Sequence, residues 1–473
     1  MSDPLWSQAA LAKAFGAPPS APLGAAIEGV SIDTRTLAPG DLFFAIKGET
    51  SDGHDYVARA FAAGAGACVV ARARAGELAA HGPVFAVDDS LRAMERLGVA
   101  ARARTGARIV AVTGSVGKTS AKEMLRVALG HTGPTHASAA SYNNHWGVPL
   151  TLARMPQSST FGVFEIGMNH PGEIAPLVAM VRPHVALVTT IAPVHIEHLG
   201  SIEAIAEAKA EIFNGVEPGG TIVINRDAPQ FALLEKRAIL ARRKVATFGA
   251  DARADGRLLH FEPEGDGARV RASICGREIS FAIGAPGLHM AQNAVGALLA
   301  VAALGADPEL AAAALAEFSA PKGRGARVAL RAAGGSFTLI DESYNANPAS
   351  MRAALALLGA TSPGVGGRRI AVLGDMLELG AEAAQAHVGL AGDLARNNVD
   401  LLFCAGPLMR GLFDAAPQAM RGTWAERSAE IKQCLFEAAR GGDVVMVKGS
   451  NGSAMGPIVA ALRSHFSQPQ TGE

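Results

Sequence analysis

Residues 109–120, IVAVTGSVGKTS, constrain the fold of this chain more than any other segment. The first four residues form an apolar and mostly β-branched run, which predicts a buried strand that ends where Thr113 and Gly114 begin a turn. After the turn, the sequence AKEMLRVALG repeats apolar residues at helical spacing. A strand, a glycine-containing loop and a helix in this order are typical of a phosphate-binding loop.

The loop residues suit a polyphosphate because backbone N–H groups converge there at the positive end of the helix dipole. Lys118 supplies a cation for the β and γ phosphates, and the Thr119 hydroxyl can ligate Mg²⁺. Val112 stands where the longer form of the motif has another glycine, which predicts a tighter loop. We therefore predict that a nucleoside triphosphate binds Gly114, Ser115, Val116, Gly117, Lys118, Thr119 and Ser120.

Length and composition limit the kinds of protein that this chain can be. Its 473 residues suffice for about three domains of ordinary size. Lys plus Arg and Asp plus Glu both number 43, and no basic block predicts binding to nucleic acid or to an anionic membrane. No signal peptide and no membrane span is predicted. The cysteines are widely spaced, which disfavours a zinc site or disulfides and is consistent with the cytoplasm: Cys68, Cys275, Cys404 and Cys434.

The order of predicted strands and helices indicates an α/β protein of three domains. Residues 1–100 form a small α/β domain, with a helix near Leu11 and short strands. Residues 101–325 repeat strand and helix after the phosphate loop, which predicts a parallel-sheet ATPase domain. Residues 326–473 alternate in the same way and predict a Rossmann-like domain. Between these two, the glycine-rich segment 323–327 is a predicted hinge or linker.

Two polar residues follow apolar strands of the predicted central sheet. Glu165 ends one strand, and His195 lies just beyond another. In open α/β sheets, ligands collect at the carboxyl ends of the strands, where the phosphate loop also lies, so both residues are candidate Mg²⁺ ligands. A single Glu or His at a strand end is more often ordinary polar surface.

Lys209 falls within an apolar stripe of a predicted helix. Ser201 can cap this helix, and Ile202, Ile205 and Ile212 mark one face of it. Lys209 follows Ile205 by four residues and so lies in the same stripe. The ordinary interpretation is that its ammonium group extends into solvent. Alternatively, burial favours a neutral amine, which has chemistry that an ammonium lacks.

Taken in order, the motifs of the chain resemble those of the Mur ligase family, ATP-dependent amino acid or peptide ligases of peptidoglycan synthesis. The resemblance extends over all three predicted domains and rests on TGSVGKTS, NNHWGVP, FEIGMNHPGEI, the His195 segment, AEAKAEIF, LHMAQN and DESYNANP. In the last third, DESYNANPASM and LGDMLELG resemble the members that add D-alanyl-D-alanine to UDP-N-acetylmuramoyl-tripeptide. The DNPR string typical of the ligases that add the third residue does not occur.

The resemblance implies a nucleotide site shared by the last two domains. Lys118 and the loop amides would hold the phosphates of ATP, and Asn293 would contact adenine. Arg324 or Arg327 would contact the γ-phosphate, and Asp341 the ribose. The same nucleotide-facing loop would contain Tyr344, Asn345 and Asn347.

Two Mg²⁺ ions are also implied by the resemblance. Thr119 and Glu165 would bind one ion, while His195 and Lys209 would serve the second, with Lys209 carbamylated by CO₂ and therefore anionic. Lys118, Glu165, His195 and Lys209 are then the implied catalytic residues.

The implied site for the UDP-sugar substrate lies nearer the N-terminus. SIDTR, GDLFFAIKG and NNHWGVP resemble the family's substrate segments, although turn chemistry alone would also explain several of their polar residues. The candidate residues are Asp33, Thr34, Arg35, Lys47, Asn143 and Asn144. The chain departs from the family pattern at three positions further on: Met290, Asn451 and Gly456.

The activity implied is the ATP-dependent addition of D-alanyl-D-alanine to the muramoyl tripeptide through an acyl phosphate, by a monomer that acts on small molecules. A second hypothesis is a related ligase that adds one amino acid, such as a third-residue muramoyl ligase or a folylpolyglutamate synthase. A third is a regulator whose phosphate loop only switches conformation, although such a protein has little need of Glu165, His195 and Lys209.

Overall fold

The computed structural model describes residues 4–139, 141–194 and 196–466, which contain three β-sheets that follow one another along the chain. The predicted α/β class with three sheet-based domains is thereby confirmed. His195 lies outside the described residues. In these ranges, none of the helices is both long and apolar enough to cross a membrane.

The first sheet has four parallel strands in the order β1-β2-β3-β4. Its strands are β1 (Gly29–Ser31), β2 (Asp41–Phe44), β3 (Ala67–Ala71) and β4 (Val84–Val87). The helices of this part are α1 (Gln8–Phe15), α2 (Val57–Ala62), α3 (Ala75–Leu78) and α4 (Ser90–Arg104). Trp6 is buried and donates from Nε1 to the carbonyl of Ala153, so the beginning of the described chain packs on the next domain.

The central sheet has nine strands in the order β13-β12-β11-β10-β9-β8-β5-β7-β6, and those from β11 to β6 are parallel. The strands are β5 (Arg108–Thr113), β6 (Thr135–Ala137), β7 (Phe161–Glu165), β8 (Val185–Val188), β9 (Thr221–Asn225), β10 (Lys244–Gly249), β11 (Gly256–Glu264), β12 (Gly267–Ile274) and β13 (Arg277–Ile283). The helices are α5 (Lys118–Gly130), α6 (Gly147–Ala153), α7 (Ile174–Val181), α8 (Ile196–Leu199), α9 (Ile202–Ala210), α10 (Phe231–Leu240), α11 (Leu288–Ala303) and α12 (Pro308–Ala314).

Strands β11, β12 and β13 pair in antiparallel fashion, which differs from the expected repetition of strand and helix. Buried and exposed residues alternate along β12, and the buried face packs in the same core as Val295 and Leu299 of α11. Cys275 and Gly276, with φ of 51° and 83°, turn β12 into β13. Positive φ at two successive residues is what a tight hairpin turn requires.

The last sheet has six strands in the order β14-β15-β19-β16-β17-β18, and only the edge pair β14–β15 is antiparallel. The strands are β14 (Ala326–Ala332), β15 (Gly335–Glu342), β16 (Arg369–Gly374), β17 (Leu401–Ala405), β18 (Arg421–Ala425) and β19 (Val444–Lys448). The helices are α13 (Pro348–Ala360), α14 (Ala383–Val388), α15 (Ala391–Arg396), α16 (Met409–Ala415), α17 (Lys432–Ala438) and α18 (Gly456–His465). Apolar cores lie on both faces of this sheet, as in a Rossmann-like domain.

Candidate active site

A cavity of about 460 Å³ lies between the central and C-terminal domains. Its central-domain wall is built where β5, β7 and β8 end, and its C-terminal wall where β15 and β19 end. The carboxyl ends of parallel strands are the usual position of ligand sites in such sheets. Of the residues predicted from the sequence, the cavity brings together Ser115, Val116, Gly117, Lys118, Ser120, Asn143, Glu165, Asn293, Arg324, Tyr344, Asn345 and Asn347.

The phosphate loop connects β5 directly to α5, as the sequence predicted. Gly114 and Gly117 have φ of 147° and 86°. A Cβ atom at Gly114 would lie 2.0 Å from Thr189 Oγ1, and one at Gly117 would lie 2.7 Å from Asn293 Nδ2. Both positions therefore require glycine for its conformation and for the close approach of neighbouring side chains.

Lys118 folds back over this loop, with Nζ donating to the Gly114 carbonyl at 2.8 Å. The pKa of this lysine is lowered to about 8, mainly by burial; the charge of Glu165 opposes the shift, and that of Arg324 adds to it. A bound polyphosphate would favour the charged form of the lysine again. The loop therefore combines a buried lysine with backbone N–H groups that suit an anion.

Glu165 ends β7, beside the phosphate-loop strand β5, and is 1% exposed. Its Oε1 accepts a hydrogen bond of 2.7 Å from Asn143 Nδ2. Its Oε2 is buried and has no hydrogen-bond partner among the residues described. A buried carboxylate oxygen without a partner is costly unless a ligand such as a cation completes it. Thr119 is also buried, and its Oγ1 lies 3.3 Å from Ser141 Oγ.

Lys209 is 2% exposed, so its ammonium group does not extend into solvent. Burial holds the pKa of this lysine well below its usual value, and the charge of Lys118 adds to the effect. Of the two interpretations of this residue, burial of a neutral amine is the one that the structure supports.

The two arginines of the joint between the domains have different surroundings. Arg324 lines the cavity, with its guanidinium 4.1 Å from the centre of the Tyr344 ring. Arg327 is 13% exposed and donates to Asp266 Oδ1 at 2.9 Å and to Thr361 Oγ1 at 3.0 Å. Only Arg324 is therefore placed to meet a ligand in the cavity.

Two adjacent acidic residues also differ in their surroundings. Asp341 is 1% exposed, and its carboxylate accepts hydrogen bonds from the backbone N–H groups of Gly323 and Ser343 and from the Ser343 hydroxyl. It is not among the residues that line the cavity, whereas Glu342 is. The Asp341 carboxylate therefore bonds to the joint, while Glu342 lines the cavity. The contact between Asp341 and the ribose stays a prediction.

Residues 344–347, the loop predicted to face the nucleotide, are fixed by short-range and long-range hydrogen bonds. Asn347 caps α13, because its side-chain oxygen accepts from the backbone N–H of Ser350. In turn, the Ser350 hydroxyl accepts from the backbone N–H of Asn347. The carbonyl of Asn345 accepts a bond of 2.9 Å from Lys448 Nζ. Tyr344 remains 43% exposed, with Arg324 over its ring.

The other predicted substrate residues lie outside this cavity. Asp33 and Arg35 form an ion pair within one turn, and these hydrogen bonds lower the pKa of Asp33. Lys47 is exposed. Asn144 accepts from the backbone N–H of Gly147 at the start of α6, which is a local structural role. Asn143 alone of this group lines the cavity.

Comparison with known proteins places the chain in a family. A model described as Mur ligase family, catalytic domain, matches residues 26–110. The Mur ligase middle domain matches 112–301, and the glutamate ligase domain matches 323–451. A protein of Escherichia coli named UDP-N-acetylmuramoyl-tripeptide--D-alanyl-D-alanine ligase is 35% identical over 93% of this chain and 94% of its own. The chain belongs to the Mur ligase family. The resemblance predicted from its motifs is confirmed.

Further members of the Mur ligase family match along nearly their full length. The Bacillus subtilis protein of the same name is 35% identical over 92% of this chain and 93% of its own. A crystal structure of MurF from Acinetobacter baumannii superposes with a TM-score of 0.83 at 28% identity, covering 97% of this chain and 98% of that one. The overall fold of this Mur ligase is therefore that of a solved relative.

The cavity of this Mur ligase also includes charged or titratable residues that were not singled out from the sequence, among them His289, Glu342 and Lys448. His289 lies one helical turn before Asn293 on α11, and burial lowers its pKa. Glu342 and Lys448 end β15 and β19. For Glu342 and Lys448, the signal available in the sequence was their position at the ends of apolar strands, the same signal that identified Glu165.

Proposed function

We propose that this Mur ligase joins D-alanyl-D-alanine to UDP-N-acetylmuramoyl-tripeptide with hydrolysis of ATP to ADP and phosphate, giving the pentapeptide precursor of peptidoglycan. The observation that carries this proposal is the relationship to proteins of that name, at 35% identity over almost the full length of both chains. The cavity supports the nucleotide part, because it joins the phosphate loop to polar residues of the C-terminal domain.

In the proposed nucleotide site, the amides of residues 114–120 and Lys118 hold the phosphates. Asn293 packs against Gly117 and is the proposed adenine contact. Arg324 is the proposed γ-phosphate contact, since Arg327 is engaged elsewhere. For the ribose hydroxyls we propose Glu342, because the Asp341 carboxylate is already used within the protein.

A first Mg²⁺ ion is proposed at Thr119 and Glu165. The residues fit this ion, because Glu165 Oε2 is a buried carboxylate oxygen that lacks a partner among the residues described. In the described ranges, no group of three or more His, Cys, Asp and Glu could hold a metal, so phosphate oxygens and water would complete the shell. When bound, Mg²⁺ neutralises the charge that accumulates as a carboxylate approaches a triphosphate.

Lys209 fits the proposed carbamate. A lysine must be neutral to add CO₂, and burial keeps the pKa of Lys209 low. The product is an anionic oxygen ligand, which together with His195 would hold a second Mg²⁺ ion. The charge of Lys118, which disfavours a protonated Lys209, would instead stabilise its carbamate.

The proposed reaction has two steps. A carboxylate oxygen of the tripeptide attacks the γ-phosphorus of ATP, the bond to the β-phosphate oxygen breaks, and ADP leaves. The amine of D-alanyl-D-alanine then attacks the acyl carbon and loses a proton, and phosphate departs as the amide forms. We propose that Lys118 and Arg324, which both line the cavity, offset the negative charge of the transferred group. No protein nucleophile is required.

The first step creates an acyl phosphate, which water would destroy. We propose that the C-terminal domain closes on the central domain by rotation at residues 323–327 and so excludes water. Gly323 and Gly325 of this joint have φ of 76° and 100°, conformations that favour glycine.

The proposed UDP-sugar site comprises Asp33, Thr34, Arg35 and Lys47, with Asn143 and Asn144 toward the cavity. Asn143 links this region to the metal site, since it donates to Glu165. Both substrates are small molecules, and we propose that the chain acts on them as a cytoplasmic monomer. Sedimentation equilibrium at the concentration used for kinetics tests the oligomeric state.

The activity is tested by phosphate release from ATP and Mg²⁺ with UDP-N-acetylmuramoyl-tripeptide, in the presence and absence of D-alanyl-D-alanine, with mass analysis of the product. We expect release to require both substrates and the product to gain one dipeptide. Release that responds to a single amino acid would indicate another ligase of the family. Release that is indifferent to all amines would refute ligation.

A further inference from the structure

Lys448 is a buried lysine in the cavity to which the proposed reaction gives no role. Its side chain is 2% exposed, and its Nζ donates to the Asn345 carbonyl at 2.9 Å. The same nitrogen lies 3.4 Å from Glu342 Oε2. Removing an ammonium from water is costly, and a buried ion pair is weak evidence for a gain in stability. A role in arranging the cavity is the alternative explanation for its presence.

The sheet register places Lys448 beside Glu342. The two residues are direct partners in the parallel pair β15–β19, so their side chains project from the same face of the sheet. Glu342 is 13% exposed in the cavity wall, and its Oε1 lies 3.2 Å from the position of a Cβ atom on Gly325. The carboxylate is therefore held between the joint on one side and the Lys448 ammonium on the other.

Ser450, two residues after Lys448, forms a second hydrogen bond to the loop of residues 344–347. Ser450 is buried, and its hydroxyl donates to the Ala346 carbonyl at 3.2 Å while accepting from the N–H of Leu377 at 2.9 Å. Lys448 and Ser450 thus bind the carbonyls of two successive residues, Asn345 and Ala346. The end of β19 fixes the path of residues 344–347 along the cavity wall.

We propose that Lys448 is a positioning residue for nucleotide binding, which orients the Glu342 carboxylate and holds residues 344–347 against the bound nucleotide. The inference rests on the nucleotide site of the proposed function. Its electrostatic surroundings include Arg324, whose charge lies close enough to lower the pKa of Lys448, and His289 across the cavity. Lys448 acts through Glu342 and through the Asn345 carbonyl, and it need not touch the ligand.

The test is the affinity of the full chain for ADP in EDTA, measured by isothermal titration calorimetry for wild type, K448M, K448R, E342Q and the double variant K448M/E342Q. We expect K448M to raise the Kd for ADP about tenfold, the equivalent of one hydrogen bond to a charged group. K448R keeps the positive charge and should recover part of the lost affinity. Because part of the effect of Lys448 passes through Glu342, the double variant should lose less affinity than the two single losses combined.

The preference for ribose over 2′-deoxyribose in the bound nucleotide supplies an independent readout. If the oriented carboxylate recognises ribose, wild type should prefer ADP over 2′-deoxyADP, and K448M should lose most of this preference. R368M is the matched control, because Arg368 pairs with buried Asp443 just before the opposite end of the same strand. It should lower the thermal midpoint without changing the Kd for ADP.

An unchanged Kd in K448M, effects of K448M and E342Q that add, or an equal loss of affinity in R368M would each overturn the proposal. Failure of the proposed ligase function can be distinguished from failure of the proposed role of Lys448. A wild-type chain that binds ADP in a Lys448-dependent way but makes no amide would refute the proposed function alone, whereas a wild-type chain that does not bind ADP would overturn both.

Discussion

Nucleotide binding by this Mur ligase should be coupled to proton uptake at Lys118. The pKa of this lysine is lowered to about 8, mainly by burial. Polyphosphate oxygens favour the charged form, so binding should return the pKa toward its usual value of about 10.5. Between these two values the free protein holds fewer protons than the complex, and affinity must therefore fall as pH rises through this window.

The size of the effect follows from the free lysine's titration. With a pKa of about 8, binding should take up roughly 0.1 proton at pH 7, about 0.5 at pH 8 and about 0.9 at pH 9. The Kd should accordingly rise about tenfold from pH 7 to pH 9. The terminal phosphate of ADP titrates near pH 6 and contributes little above pH 8.

Calorimetry of ADP binding in EDTA, in buffers of different ionisation enthalpy, measures this uptake directly. Lys118→Arg is the control, because a guanidinium stays protonated throughout this range and keeps the positive charge. Its binding should release or take up almost no protons at pH 8 and should vary little with pH. Equal uptake in wild type and Lys118→Arg would refute the assignment to Lys118 and indicate another group, such as Lys209.

Three further outcomes are expected. Glu165→Gln keeps an oxygen for Asn143 but loses the charge at the proposed metal site, so turnover should fall on the order of 100-fold while ADP binding in EDTA changes little. Arg324→Ala should lower kcat/KM for ATP roughly 10- to 100-fold, whereas Arg327→Ala should leave it within about threefold; the opposite order would contradict the assignment. Trp6→Ala should lower the free energy of unfolding by about 3–5 kcal/mol in a denaturant titration, since Trp6 is buried and bonded to the next domain.

Local features of this protein could be predicted from the sequence because neighbouring residues determine them. The strand, loop and helix around Lys118 follow from residues within a few positions of one another. Ser201 caps α9 by accepting from the N–H of Ala204, as its position before an apolar periodic run indicated. The motifs that gave the family are likewise short strings whose order is preserved.

The antiparallel extension of the central sheet was not predicted, although its signals were present. Alternating residues and the turn at Cys275 and Gly276 mark a hairpin. A repeating strand and helix pattern earlier in the domain favoured another parallel unit instead. Which edge of a sheet accepts extra strands depends on the packing of distant helices, here α11.

Sequence alone therefore determined the family, the phosphate loop and the candidate residues, whereas tertiary structure decided which of two neighbouring residues lines the cavity. Asp341 and Glu342 are adjacent on a strand, where successive side chains point to opposite faces, so only the sheet's position shows which one meets the cavity. Tertiary contacts also distinguish Arg324 from Arg327: the first lies over the Tyr344 ring, whereas the second donates to Asp266. The pKa of Lys209 is low mainly because distant elements bury the side chain, and burial depends on the whole fold rather than on local spacing.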